Sequence, residues 1–217
     1  MSLKDDVKRL LDNKEFEKIA QLAGGKASAV RYLFSFLYST DDLLHWRAAE
    51  ALGAVAGRQS GRGMDEGRNI PRRLLWSLAE ESGATAWPAP EALGAVVAFR
   101  PNLYPDFAPI VLSFIDDPVL RRGVLWSARK IAEKRPDLTR SALPQVIALL
   151  EDQDPTARGH AAWALGAMQA KEAAEELKRL RDDDSPLYIY DGGELWEKTV
   201  GNLAQKSLME LGYATTR

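Results

Sequence analysis

The sequence predicts an all-α fold built from repeated helical pairs, and three observations support this prediction. Ten residues occur nearly twice, because Trp46–Val55 reads WRAAEALGAV and Trp87–Val96 reads WPAPEALGAV, with eight identical positions at an offset of 41 residues. An Asp-Pro-x-x-Arg motif occurs at Asp117–Arg121 and again 37 residues later at Asp154–Arg158. Prolines also stand before three apolar stretches. Repetition at a period of roughly 20–50 residues is typical of proteins whose units stack to bury their apolar faces.

The prolines and aspartates mark where helices are expected to begin. Pro71, Pro109 and Pro144 each precede an apolar run, and proline is tolerated in the first helical turn because its missing N–H is not needed there. In the Asp-Pro motif, the carboxylate accepts a free backbone N–H. Each unit is therefore predicted to hold a first helix, a short turn and a second helix. The second helices carry a Leu-Gly signature, found at Leu52-Gly53, Leu93-Gly94, Leu165-Gly166 and Leu211-Gly212.

The whole chain, residues 1–217, is predicted to form a single repeat domain. Its last unit is longer than the others, and a β-hairpin at about 187–199 explains the extra length: Leu187–Tyr190 and Glu194–Thr199 read as short strands around an Asp-Gly-Gly turn. Thr199 would then cap a final helix over Val200–Leu211. The six predicted units span approximately 3–23, 26–58, 68–100, 104–135, 139–169 and 171–212.

Composition narrows the class of protein. The chain contains no cysteine, which excludes disulfides and thiolate metal sites. Its net charge of −2 and pI near 5.8 argue against nucleic acid as a partner. No apolar run approaches the roughly 20 residues that span a bilayer, and the charged start lacks a signal peptide, so a cytoplasmic protein without membrane contact is expected. Phosphate-binding glycine loops and the G-x-S-x-G motif are missing from the sequence.

The motif Asp154-Pro155-x-x-Arg158, followed by an alanine-rich stretch and Leu165-Gly166, resembles the HEAT-repeat superfamily, and in particular the HEAT-like repeats of the phycobilin (PBS) lyases. The resemblance implies a right-handed α-α superhelix, an armadillo-type solenoid of about six helical-pair repeats with the hairpin inserted in the last. In that family, an aspartate and an arginine four residues apart build a polar ladder. The pairs Asp117/Arg121 and Asp154/Arg158 fit this pattern, and His45 is expected to donate to Asp41 in place of the arginine.

Second helices line the concave side of such solenoids, so bulky residues on them are candidate partner contacts. The alternative is that each tryptophan ring wedges between neighbouring helices and seals one repeat to the next. The hairpin aromatics form either an edge element for binding or part of a polar cap. Tryptophan is common at binding hot spots because it buries a large rigid area. The candidate partner-binding residues are Trp46, Glu50, Trp87, Glu91, Trp126, Arg129, Trp163, Tyr188, Tyr190 and Trp196.

The sequence therefore predicts a non-catalytic scaffold that binds a partner protein along its concave surface. The alternative is a HEAT-like enzyme, either a bilin lyase or a DNA glycosylase of the alkylpurine type, and the basic residues of 58–73 and 121–140 are the feature that the glycosylases share. The alternative is that these basic residues form an ordinary solvated helix surface with no binding role. The chain lacks the His-Glu dipeptides by which the HEAT-like deoxyhypusine hydroxylase binds iron, so no metal and no cofactor are expected.

Overall fold

The computed structural model describes residues 2–58, 69–79 and 88–213 of the 217-residue chain. These residues are mostly helical and contain one two-stranded sheet, which confirms the predicted all-α class with an inserted hairpin. Contacts divide the chain into two compact units, Met1–Phe107 with Gly192–Glu194, and Ala108–Asp191 with Leu195–Arg217. The division into six repeats stays a prediction. Among the described helices, none is both long and apolar enough to span a membrane.

The first unit is organised around one long helix. Its described helices are α1 (Leu3–Asp12), α2 (Phe16–Gly25), α3 (Ala27–Leu37), α4 (Asp42–Arg58), α5 (Asn69–Ala79) and α6 (Ala89–Phe99). Ser2 and Asp5 form a capping box at the start of α1, in which each side chain accepts the other's backbone N–H. Helix α4 packs against α2, α3 and α6 and is buried along most of its length. The Leu-Gly signature therefore lies in the centre of the unit.

Gly53 sets how closely α4 and α6 approach each other. A Cβ atom at this position would lie 2.7 Å from the backbone carbonyl carbon of Ala95, which is closer than real Cβ contacts allow. The neighbouring Leu52 and Val55 are fully buried. The glycine of the signature thus permits backbone contact, while the leucine beside it supplies apolar burial.

The rest of the chain alternates short first helices with longer second helices. It contains α7 (Phe107–Leu112), α8 (Arg121–Ala132), α9 (Leu143–Ala148), α10 (Pro155–Ala167), α11 (Ala174–Arg179), β1 (Pro186–Asp191), β2 (Glu194–Thr199) and α12 (Val200–Glu210). Three 3₁₀ turns over Pro136–Ala142, Leu149–Glu151 and Lys171–Ala173 extend the first helices. Helix α10 packs against both α8 and α12 and occupies the centre of the second unit.

The hairpin and its junction with the final helix follow the prediction. Gly192 and Gly193 both have positive φ angles, 60° and 82°, as a tight two-residue turn between antiparallel strands requires. The Thr199 hydroxyl accepts the backbone N–H of Asn202, and the Asn202 side chain accepts the backbone N–H of Thr199. This capping box ends β2 and starts α12.

The Leu-Gly pair at Leu211-Gly212 has a different role from the earlier pairs. Gly166 lies inside α10, where a Cβ would be 2.7 Å from the Ser207 hydroxyl of α12. Gly212 instead follows α12 with a φ of 86°, and the Tyr213 N–H bonds back to the Leu208 carbonyl. It ends the helix through a left-handed residue. Counting Leu211-Gly212 as a fourth copy of the signature was therefore wrong, because sequence letters do not distinguish a contact glycine from a helix-stop glycine.

The two Asp-Pro motifs begin their helices differently. Asp154 caps α10 as predicted, because its Oδ1 accepts the Thr156 N–H at 2.9 Å. Asp117 accepts the Val119 N–H at 2.9 Å, but residues 118–120 form a turn and α8 begins only at Arg121. The helix start predicted at the second residue of this motif was therefore three residues too early.

The polar ladder exists in the second unit, but its partners differ from the expected ones. Arg121 pairs with Asp152 at 2.9 Å, and Arg158 pairs with Asp183 at 2.9 Å. The aspartate four residues before each arginine already accepts a backbone N–H, in a turn at Asp117 and at the helix start at Asp154. Each arginine instead pairs with an acid that comes later in the chain.

Each ladder arginine also binds the carbonyl that stands six residues before it. Arg121 Nε donates to the Ile115 carbonyl at 3.0 Å, and Arg158 Nη1 donates to the Asp152 carbonyl at 2.7 Å. Burial would raise the pKa of Asp183, but hydrogen bonds from Ser185 and Arg158 outweigh this effect and lower it. The ladder therefore ties the turn before each second helix to the next segment of the chain.

We expect Gly53→Ala to lower the free energy of unfolding by about 1–3 kcal/mol, because the added methyl group forces α4 away from α6. Gly57→Ala on the same helix is the matched control, since its Cβ would meet the nearest atoms at 3.4 Å, an ordinary contact. It should be neutral or stabilising by up to about 1 kcal/mol through helix propensity. Urea unfolding measures both variants. Equal effects would contradict the close-contact explanation.

We expect Arg158→Ala to lower the free energy of unfolding by about 1–3 kcal/mol, because it removes the ion-pair partner of the half-buried Asp183 and the donor to the Asp152 carbonyl. Arg140→Ala removes a highly exposed ion pair with Glu172, whose atoms are 3.9 Å apart, and should change stability by less than about 0.5 kcal/mol. Denaturant titration of the two variants gives the comparison. A negligible loss for Arg158→Ala would rule out a stabilising role for the ladder.

Candidate functional site

Most of the side chains proposed as partner contacts lie in the interior of the two units. Trp46, Trp126, Trp163, Glu91, Arg129 and Tyr190 are all buried. Glu50 is half-buried, and Tyr188 and Trp196 are 57% and 50% exposed. Trp87 lies outside the described residues. The burial of the tryptophans favours the packing alternative, in which the rings seal neighbouring helices rather than meet a partner.

Trp126 anchors the hairpin in the second unit. Its indole Nε1 donates a hydrogen bond of 2.8 Å to the Tyr190 carbonyl of β1, and the two rings lie 6.0 Å apart. One residue further along the hairpin, Asp191 accepts an ion pair of 3.0 Å from Lys130. On α10, a Cβ at Gly159 would lie 2.5 Å from the Leu187 side chain, so this glycine makes room for the strand.

Strand β1 therefore lies against α8 and α10, on the surface where a partner was expected. Every side chain of α10 from Gly159 to its end is buried. The expectation that Trp126, Arg129 and Trp163 line an open groove is corrected on this point, because the hairpin of the same chain and the packing of α10 between two helices cover these positions. Sequence periodicity alone does not show which helix face a later insertion will cover.

Arg129 of α8 connects its own helix to α10 and to α12. Its guanidinium donates to both Glu210 oxygens and to the Trp163 carbonyl, while Nε donates to Glu133 at 2.8 Å. The guanidinium carbon also lies 5.0 Å from the centre of the Trp163 ring. Burial alone would lower the pKa of Arg129, but the two carboxylates raise it above its ordinary value. The arginine is therefore a charged residue that holds Glu133, Glu210 and the Trp163 carbonyl together.

A pocket of about 410 Å³ opens beside this arginine. Both carboxylates on its wall, Glu133 and Glu210, are already bonded to Arg129. Gln169 lies at the same wall with a φ of 58°, a left-handed conformation that few residues other than glycine adopt. Its N–H bonds back to the Gly166 carbonyl, so Gln169 ends α10 as Gly212 ends α12. The end of α10 and the cluster of Arg129, Glu133 and Glu210 therefore account for this pocket.

In the first unit, His45 and Glu91 form a buried pair between α4 and α6. His45 Nε2 lies 3.6 Å from Glu91 Oε1, and Nδ1 lies 2.7 Å from the Leu37 carbonyl. Asp41 instead accepts the Leu44 backbone N–H at 3.1 Å, which starts the helix. The expected donation from His45 to Asp41 was therefore wrong, because the ring points inward from α4 while the aspartate is used as a cap.

Arg47 is a functional residue of the fold that sequence reasoning missed. At about 100° per residue from Leu52, helical periodicity places Arg47 opposite the buried face, yet it is only 7% exposed. Its guanidinium donates to the Gly193 carbonyl at 2.8 Å, to the Asp12 carbonyl at 3.1 Å and to Glu194 at 3.1 Å. Hydrogen bonds from Lys14, together with the charge of Arg47, lower the pKa of Glu194. The sequence offers one weak indication that Arg47 has a special role: the second copy of the ten-residue repeat has proline, not arginine, at this position.

Both histidines of the chain lie in the interior. His160 Nδ1 lies 2.9 Å from the Thr156 carbonyl, and its ring packs edge-on against Trp163 at 6.4 Å. Burial is the main cause that lowers the pKa of His160 to about 4. A neutral ring donates from Nδ1 to the carbonyl, which fits the geometry. Neither histidine is accessible to a substrate at the surface.

We expect His160 to make the folded state less stable in mild acid. Its folded pKa lies below the ordinary value of 6.5, so between pH 6.5 and 4 the unfolded chain binds a proton that the folded chain does not. Stability from this group is complete above pH 6.5 and falls by about 2 kcal/mol between pH 7 and pH 5. Urea unfolding at both pH values, compared between the parent protein and His160→Asn, isolates this contribution. An equal pH dependence in the two proteins would contradict the assignment.

Comparison with known proteins supports the fold and leaves the function open. Residues 105–190 match a family model described as HEAT repeats. An uncharacterised protein of Archaeoglobus fulgidus is 29% identical over 177 residues, which cover 79% of this chain and 91% of that protein. The crystal structure of an engineered protein covers 98% of this chain, with 97% of its own length, a TM-score of 0.54 and 18% identity. The chain is therefore similar to HEAT repeats over residues 105–190, and along nearly its whole length it shares the fold of that engineered protein.

Proposed function

We propose that this protein is a non-catalytic scaffold that binds a partner protein, and that the exposed aromatic residues of its β-hairpin make the contact. The observation that carries the proposal is the exposure of Tyr188 and Trp196, at 57% and 50%, on a hairpin that is otherwise firmly anchored. Similarity to HEAT repeats supports the coarse function, because such repeats commonly mediate protein interactions.

The hairpin meets the physical requirements of a binding element. A two-stranded ribbon alone is marginally stable, but here Tyr190 and Leu187 hold β1 against the helices. The Trp196 indole donates to the Asp191 carbonyl at 3.1 Å, and Lys198 lies 5.8 Å from the ring, so the ring is oriented before any partner arrives. Large aromatic rings that are held in place lose little entropy on binding and are typical of hot spots.

The burial of the other candidates supports a contact on the hairpin rather than in the groove. Trp126 and Trp163 are in contact with their own unit, and Glu91 is paired with His45. Placing lysines at both Glu50 and Glu91 would introduce a buried lysine beside His45, so that double change would test folding as much as binding. Glu50 alone, which is half-buried, is the cleaner probe of the groove.

We expect Tyr188→Ser with Trp196→Ser to reduce partner capture by about tenfold or more, because both proposed anchors are lost. Tagged parent protein and variant are incubated with an extract of the source cells, and the captured proteins are quantified by mass spectrometry. Val119→Ser is the matched control, since Val119 is a highly exposed apolar side chain elsewhere in the second unit. Urea midpoints confirm that all three proteins are folded.

The design separates the hairpin from the groove. A partner that is lost with the hairpin variant and retained by Val119→Ser supports the proposal. A partner that is retained by the hairpin variant but lost with Glu50→Lys overturns the hairpin contact and supports the concave surface instead.

A further inference from the structure

Nothing in the described part of the structure requires glycine at the last two residues of α2, Gly24 and Gly25. Among the described residues, no atom would lie within 4 Å of a Cβ at Gly24 or Gly25, so neither glycine permits a close contact there. Neither has a positive φ, and the chain leaves the helix through Lys26 with a φ of −142° rather than through a left-handed residue. Glycine is among the least favourable residues in a helix. Because they have no side chains, the two glycines leave open the space beside the end of α2.

That space is a pocket in the first unit, with a volume of about 530 Å³. Gly24 and Gly25 form one wall, and the apolar side chains of Val30 and Ile70 contribute another part of the lining. A volume of this size lies within the range of roughly 300–1,000 Å³ that is usual for small-molecule sites. A larger residue at either glycine would occupy part of it.

The polar side chains that line this pocket in the described part of the chain are suited to an anion. Arg31 of α3 and Arg73 of α5 line it together with Asn69, and among the described residues of its lining none is acidic. Neither arginine forms an ion pair within the described parts of the chain. The Arg73 guanidinium is held 3.9 Å above the Phe34 ring, which fixes its position. By contrast, the arginine beside the pocket of the second unit is neutralised by Glu133 and Glu210.

We propose that this pocket binds a small organic molecule that carries an oxyanion, either a phosphate ester or a carboxylate. The anionic group is bound between Arg31 and Arg73, whose planar guanidinium groups each offer paired N–H donors to two oxygens. The organic part lies along the glycine wall and over Val30 and Ile70. This ligand site is independent of the hairpin proposed as the partner contact, and either can be wrong without the other.

The test uses the full-length protein and two probes, phenyl phosphate and benzoate, which share a ring but differ in the oxyanion. Each is titrated at constant ionic strength while amide signals are followed by NMR. We expect saturable binding with shifts concentrated in α2, α3 and the start of α5. The probe that binds more tightly identifies the oxyanion class, phosphate ester or carboxylate.

Three variants test the assigned residues. Arg31→Gln with Arg73→Gln should weaken binding by about tenfold or more, through loss of charge-assisted hydrogen bonds. Gly24→Leu should abolish binding by filling the pocket, while the thermal unfolding midpoint stays the same or rises. Arg140→Gln, which removes an exposed cation in the second unit, should change nothing.

Two outcomes overturn the proposal: failure of both probes to saturate at millimolar concentration, or binding that survives both the arginine change and Gly24→Leu. If Gly24→Leu does not fold, the arginine pair and Gly25→Leu give the same decision.

Discussion

The close approach of the second helices is the constraint on which the rest of the structure depends. Where α4 meets α6 the contact is Gly53 against the Ala95 backbone, and where α10 meets α12 it is Gly166 against Ser207. Backbones at this distance leave no room for side chains between them, so large rings such as Trp163 are displaced to the flanks of the contact. The alanines around each glycine follow from the same requirement, because a small side chain is the largest that fits.

Close backbones bring a second requirement, since carbonyl groups near the contact are removed from water and need donors. Ser207 Oγ donates to the Ala162 carbonyl at 2.6 Å, and Arg129 donates to the Trp163 carbonyl at 2.9 Å. In the first unit, Tyr104 donates to the Ala56 carbonyl at 3.3 Å. These buried polar side chains therefore supply hydrogen-bond donors to backbone carbonyl groups of the helices.

Features that depend on local chemistry could be predicted from the sequence. The hairpin, its glycine turn and the Thr199 cap could be predicted because each depends on a few consecutive residues with strong conformational preferences. What failed depended on distant partners. The periodicity of α4 gave Arg47 a solvent position, but the Gly193 carbonyl that buries it is 146 residues away. The same limit applies to Trp126, which was expected to be exposed but is covered by the strand that contains Tyr190, 64 residues later.

The direction of the arginine ladder bears on how the protein is made. Arg121 and Arg158 bind acids that follow them by 31 and 25 residues, so during synthesis each arginine leaves the ribosome before its carboxylate does. At roughly 5–20 residues per second, the delay is of the order of seconds. The turn before each second helix thus remains incompletely bonded until the next segment has been translated. A nascent chain of this protein is completed with a lag of about one repeat, and a pause within such an interval would expose an unpaired arginine and the helix that it secures.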